Sequence, residues 1–226
     1  MGETIQLANA RDGFAFAAYH APVPDARRGG LVVLHAIWGV TPHIRELCEA
    51  FAEDGYETLA PSLFDRFERG FPARDTDPAT QAVRNDYAER TGWGAACLDD
   101  VQAAIDALKP PVFLLGFCFG GTAAWLAAAR CRGLSAVACF YGGHIVRYAD
   151  EAPQVPTILH FGRADELIPP QDVEAIAAAH PDLPIHLYDA GHAFVAPSGH
   201  HADAARLARL RTLQLFTRSS GPRAEM

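Results

Sequence analysis

The chain has 226 residues, half of them hydrophobic and 20% charged, with 27 acidic against 19 basic side chains and a formal net charge of −8. That balance excludes a disordered or fibrous chain and suits one folded domain over residues 1–226, long enough to bury a sizeable core. A negative surface disfavours nucleic acid and gives no attraction to an anionic membrane, so neither is expected as a partner.

Taken in order, residues 4–7 and 13–20 read as two strands that pair with each other, the second ending at Pro22-Val23-Pro24-Asp25. Leu31-Val32-Val33-Leu34 is a continuous apolar run, the pattern of a strand buried on both faces of a parallel sheet. Thr41 and Pro42 supply an N-cap hydroxyl and a tolerated first-turn proline for a helix that runs to about Asp54 and stops at Gly55. Residues 57–60 form the next strand, and residues 61–77, rich in Arg, Asp, Pro and Phe, are irregular and placed over the sheet edge. A helical pattern covers residues 78–108 with a break near Gly92 and Gly94, and Pro110-Pro111 stops it before a strand at 112–115. Then come a helix at 119–130, strands at 135–140 and 157–161, a helix at 171–179, a strand at 185–188 and a last helix at 201–216. Strands alternating with helices imply an α/β fold: a mostly parallel central sheet with helices on both faces and a site at the strands' C-terminal ends.

No stretch is apolar and long enough to span a bilayer; the strongest, residues 112–119, is short and interrupted by glycine. Residues 1–10 lack the cationic and apolar regions of a secretory signal, so a cytoplasmic location is expected. The five cysteines, at 48, 97, 118, 131 and 139, are odd in number and without CxxC spacing, which fits reduced thiols and no zinc site.

The chemistry concentrates at Gly116-Phe117-Cys118-Phe119-Gly120-Gly121, between a buried strand and an alanine-rich helix. This is the Gly-x-nucleophile-x-Gly elbow with cysteine as nucleophile, a sharp turn that lifts the sulfur above the sheet and aims a helix N-terminus at it. Cys48, Cys97 and Cys131 fall in helical patterns and Cys139 in a strand, where packing accounts for them. In α/β-hydrolase folds the chain order is nucleophile, acid, histidine. Asp165, after the strand at 157–161, and His192, after the strand at 185–188, meet that order, with Glu166 and Asp189 as competing acids. The oxyanion requires two backbone N–H donors; Phe119 supplies one and Ile37, just past Leu34, is the candidate for the other. The histidine pair at 200 and 201 has no companion of metal-ligand spacing, and no metal is expected.

With these residues in view, the sequence resembles the dienelactone hydrolase family. The resemblance rests on the elbow, on Gly162 to Asp165, on Ala190-Gly191-His192-Ala193-Phe194, on Ile37-Trp38-Gly39-Val40 and on Tyr141-Gly142-Gly143, and extends over nearly the whole chain. It implies an α/β-hydrolase fold and hydrolysis of a cyclic enol-lactone without metal or cofactor. A monomer or homodimer acting on a small-molecule ester or lactone is expected. Two positions depart from the family pattern. The family's glutamate before Ile37, which takes the cysteine proton, is Ala36 here, and its arginine beyond the histidine loop has no counterpart. Either His192 activates Cys118 directly, or the enzyme serves a different substrate, or activity is poor. Trp38, Tyr141 and Arg84 are the candidates for substrate contact, although an arginine placed like Arg84 is ordinarily solvated. Three functions follow: a cysteine-dependent hydrolase of the dienelactone type, an esterase or thioesterase for another small acyl substrate, and a silent ligand-binding protein that retains the pocket.

Overall fold

A computed structural model of the chain describes residues 2–71 and 78–221. The apolar run predicted to be a buried strand is β3 (Gly29–Leu34), and every residue in it is buried. The same holds for β5 (Val112–Phe117) and β7 (Thr157–Gly162). Such strands have no solvent face, so they occupy the middle of a sheet with helices on both sides. By contrast β1 (Glu3–Ala8) alternates exposed and half-buried residues, as an edge strand does. With β2 (Ala15–Ala21), β4 (Tyr56–Pro61), β6 (Leu134–Phe140) and β8 (Ile185–Tyr188) these strands form one eight-stranded sheet in the order β1-β2-β4-β3-β5-β6-β7-β8. β1 and β2 pair antiparallel, as does β2 with β4; every later pairing is parallel.

α1 (Pro42–Glu53) begins where the Thr41-Pro42 signal places it, with the Thr41 hydroxyl accepting from Ile44 N–H, and Gly55 beyond its end takes φ 94°. The long helical pattern divides into α2 (Pro78–Thr91) and α3 (Ala95–Asp106) at Gly92 and Gly94. α4 (Phe119–Arg130), α5 (Pro170–Ala179) and α6 (Ala202–Arg218) follow. Alternate residues of β5 show how the layers sit. Phe113 stacks on Phe216 of α6 at 4.6 Å between ring centroids, while a Cβ at Gly116 would lie 3.1 Å from the Cβ of Ala124 in α4. Odd positions therefore face α6 and even positions face α4, the period of two that a strand imposes.

The sequence reading misses a short 3₁₀ helix, Ile145–Tyr148, which is below the length at which a periodicity shows. It also places Cys131 inside a helix, whereas Cys131 is the extended residue that caps α4. Of the irregular segment at 61–77, residues 62–71 form turns and 72–77 lie outside the described residues. No helix among the described residues is long and apolar enough to cross a membrane.

Candidate active site

The parallel strands deliver the candidate residues to one end of the sheet: Ile37 after β3, Cys118 after β5, Tyr141 after β6, Asp165 after β7 and His192 after β8. At the elbow, Cys118 adopts φ 53° and ψ −112°, a conformation unfavourable for a side-chain-bearing residue. The glycines around it make the turn possible. A Cβ at Gly116 would lie 2.0 Å from the Gly120 carbonyl oxygen, and one at Gly120 would lie 2.5 and 2.6 Å from the Leu34 and His35 carbonyl oxygens. Cys118 N–H donates to Phe140 O at 3.0 Å, pinning the turn to β6, and its carbonyl accepts from Gly121 and Thr122 in the first turn of α4.

His192 and Asp165 come together because their loops are pressed against each other. Arg163 N–H donates to Tyr188 O at 2.7 Å and Ala164 N–H to Ala190 O at 3.1 Å. A Cβ at Gly162 would stand 2.3 Å from Ala190 O, so this approach admits only glycine. The result is a 2.7 Å contact between His192 Nδ1 and Asp165 Oδ2, with Asp165 Oδ1 accepting from Leu167 N–H at 2.9 Å. Of the competing acids, Glu166 is exposed and Asp189, whose side chain is 92% exposed, pairs with Arg163 instead.

His192 Nε2 is buried with no hydrogen-bond partner among the described residues. Burial lowers the imidazole pKa, but the Asp165 carboxylate and then the neighbouring Cys118 sulfur outweigh it and raise it to about 9. Burial pushes the thiols of Cys48 and Cys131 up to about 12, and those of Cys97 and Cys139 upward as well, which suppresses thiolate at those four positions.

Phe119 opens α4, so its amide has no partner within the helix, and Ile37 sits half-buried in the loop after β3. Tyr141, at φ 38°, is only 2% exposed, with its ring 4.9 Å from the His192 imidazole. Arg84 corrects the solvated reading: it is fully buried, with its guanidinium 3.7 Å from the centre of the Trp38 ring. A half-buried Trp38 covers much of that cation, which hydropathy alone cannot foresee.

Sequence reasoning did not single out the aromatic wall beside the elbow. Trp93 Nε1 donates to Phe119 O at 3.0 Å, and the Trp93 ring stacks on Phe119 at 5.3 Å and meets His144 at 4.6 Å. Phe64 packs on Phe119 at 5.4 Å. These partners come from three separate segments, and no local motif announces them. Among the described residues no group of three or more His, Cys, Asp or Glu side chains is disposed to hold a metal ion.

A cysteine on a strand-to-helix elbow, with an acid–histidine pair delivered by later strands of an eight-stranded mostly parallel sheet, defines the α/β-hydrolase class. The dienelactone hydrolase family model matches residues 16–220. A carboxymethylenebutenolidase of Pseudomonas putida is 30% identical over 223 residues, covering 91% of this chain and 92% of that protein. A crystal structure from Klebsiella pneumoniae, assigned as a dienelactone hydrolase, superposes with a TM-score of 0.83 at 25% identity, covering 96% of this chain and 99% of the other. The dienelactone hydrolase of Anabaena variabilis shares the fold with a TM-score of 0.69 at 18% identity, covering 96% and 97% of the two chains. The chain belongs to the dienelactone hydrolase family, and with it to the hydrolases that cleave esters.

Proposed function

We propose that this protein hydrolyses a carboxylic ester or lactone, of the dienelactone or carboxymethylenebutenolidase type, through an acyl-enzyme on Cys118. The observation that carries the reading is Cys118 on its elbow, its sulfur acting on the pKa of a His192 imidazole that Asp165 holds at 2.7 Å. His192 Nε2 takes the thiol proton as the sulfur attacks the carbonyl carbon, and the Phe119 and Ile37 N–H groups hold the resulting oxyanion. The tetrahedral species collapses, the C–O bond breaks, and the leaving oxygen takes the proton from His192. His192 then removes a proton from water, which attacks the thioester carbonyl; the Cys118 sulfur departs, taking that proton back from His192, and the product is freed as a carboxylic acid that ionises in water.

The Asp165 carboxylate and the neighbouring Cys118 sulfur raise the His192 pKa against the effect of burial, and that basicity supports direct transfer of the thiol proton to His192 without a carboxylate at position 36. Arg84, Trp38 and Tyr141 are the candidates to contact the substrate's remainder. The burial of Arg84 over Trp38 also favours a second reading, in which the substrate is a neutral aryl ester or thioester lacking a carboxylate. The reading carries with it one domain, working in the cytoplasm as a monomer or homodimer without metal, cofactor or nucleic acid.

The test is hydrolysis of a dienelactone and an activated neutral aryl ester by the wild type and by Cys118→Ala. Loss of dienelactone turnover in the variant supports the first reading, and turnover of the neutral ester alone moves the assignment to the second. A wild type and variant that are equally active, or equally inert, contradict a cysteine-dependent hydrolase.

A further inference from the structure

His35 follows β3, is fully buried, and takes no part in the proton transfers described above. Its Nε2 lies 3.1 Å from the backbone N–H of Leu63. That group can only donate, so Nε2 accepts, and the neutral ring carries its proton on Nδ1. Nδ1–H then donates to the carbonyl of Ala36 at 2.6 Å. The carbonyl of Ala36 and the N–H of Ile37 are opposite ends of one planar peptide unit, so fixing the first fixes the direction of the second. The imidazole is also stacked on the ring of Phe119, with centroids 6.4 Å apart and 21° between planes, and meets the edge of Phe64 at 5.0 Å. One buried side chain thus touches the peptide of one candidate oxyanion donor, the residue of the other, and the segment after β4.

Resting on the reading of Ile37 and Phe119 as oxyanion donors, we propose that His35 is a positioning residue that locks the Ala36–Ile37 peptide so that its N–H points at the developing oxyanion. Hydrogen bonding at the Ala36 oxygen polarises the same amide and makes the Ile37 N–H a stronger donor. Burial holds the ring neutral by lowering its pKa to about 4, against the opposing effects of the Ala36 carbonyl and the Asp65 charge. A protonated ring would leave the Leu63 N–H without its acceptor. Where the oxyanion hole is set by backbone amides, a misdirected peptide weakens the transition state and leaves substrate binding nearly untouched.

Three substitutions separate the two hydrogen bonds. His35→Asn keeps an amide N–H near the Nδ1 position and loses the acceptor for Leu63; His35→Gln reaches Leu63 and loses the donor to Ala36; His35→Leu loses both. Steady-state kinetics on an ester that the wild type turns over should show kcat reduced about 10- to 100-fold in the Gln and Leu variants with KM within about twofold, and the Asn variant within about threefold of wild type. Melting temperature should follow a different order, because Asn and Gln each sacrifice one of the two bonds. Wild-type kcat in the Gln and Leu variants, an Asn variant as slow as Leu, or losses that track melting temperature would overturn the proposal.

An arm that needs no turnover is nitrogen-15 NMR of the wild type and the Gln variant. The proposal requires the Nδ1–H tautomer of His35 and a displaced Ile37 amide resonance in the variant; an Nε2–H tautomer or an unmoved Ile37 resonance overturns it. An inert wild type that nevertheless passes this arm strikes the functional reading and leaves the lock on the peptide standing.

Discussion

At the scale of single residues, the account turns on how Cys118 and Asp165 act on one imidazole. Both raise the His192 pKa, to about 9, against the lowering effect of burial, with the Asp165 hydrogen bond the larger of the two. In the proposed mechanism acylation of Cys118 would remove the sulfur's share, lowering the pKa at the step in which His192 is to act as a base toward water. Following the His192 ring carbons by NMR through a pH titration should give a midpoint near 9 in the wild type, lower in Cys118→Ala and lower again in Asp165→Asn. An unchanged midpoint in Cys118→Ala would mean that sulfur and imidazole do not interact. Asp165→Asn should also reduce kcat by about 10³-fold or more, since the wrong tautomer is then favoured. The elbow at Cys118 and the pairing of Asp165 with His192 could be read in advance from chain order and glycine spacing; their catalytic roles are part of the proposal. The placement of Arg84 could not: its enclosure depends on Trp38, 46 positions away in the chain, and a composition rule sends arginine outward.

At the scale of elements, the elbow is a contact between backbones. α4 begins so close to the end of β3 that a methyl group at residue 120 would fall 2.5 Å from Leu34 O. Gly120→Ala should therefore cost about 2 kcal/mol or more in stability, measured by urea denaturation, and shift the Cys118 turn enough to lower activity in whatever folds. Wild-type stability in this variant would show that the helix can back away from the strand. A second joint ties three elements together: Arg66 meets Asp100 at 2.7 Å and Asp12 at 2.8 Å, and Asn9 donates to Asp100 at 2.8 Å. The Asp100 side chain is only 2% exposed, so Arg66→Ala leaves a buried carboxylate with Asn9 alone and should destabilise by about 3 kcal/mol. A loss below about 1 kcal/mol in the same denaturation would contradict that. The glycines of the elbow were readable as a motif, whereas the Arg66 joint joins the β1–β2 turn, the segment after β4 and α3 and has no sequence signature.

At the scale of the molecule, buried neutral histidines set the acid limit of stability. His160 in β7 is fully buried, with Nδ1 2.9 Å from the Tyr188 hydroxyl and Nε2 3.1 Å from Thr212 Oγ1, so it joins β7, β8 and α6. Burial first, then the nearby His186 and Arg211, hold its pKa well below the ordinary value of 6.5. The unfolded chain takes a proton at that ordinary value and the folded chain resists it, so stability falls as pH drops below about 6.5, by up to about 1.4 kcal/mol per pH unit for each such group. His35 adds to the same slope down to about 4. Thermal unfolding between pH 7 and 4 should show this decline, with a shallower slope in His160→Gln; identical slopes would contradict the assignment. The sheet itself was readable in advance because buried parallel strands announce themselves as unbroken apolar runs, as at Leu31 to Leu34. The strand order and the partners of His160 depend on pairings between distant segments, which periodicity does not record.

The measurement that bears most directly on the central claim is mass spectrometry of the protein quenched during turnover of an activated aryl ester. The account predicts a mass increase equal to one acyl group, mapped to the peptide carrying Cys118, absent in Cys118→Ala and persisting longer in His192→Gln if that variant acylates at all. Turnover with no adduct in the wild type, or an adduct on a different residue, would contradict it.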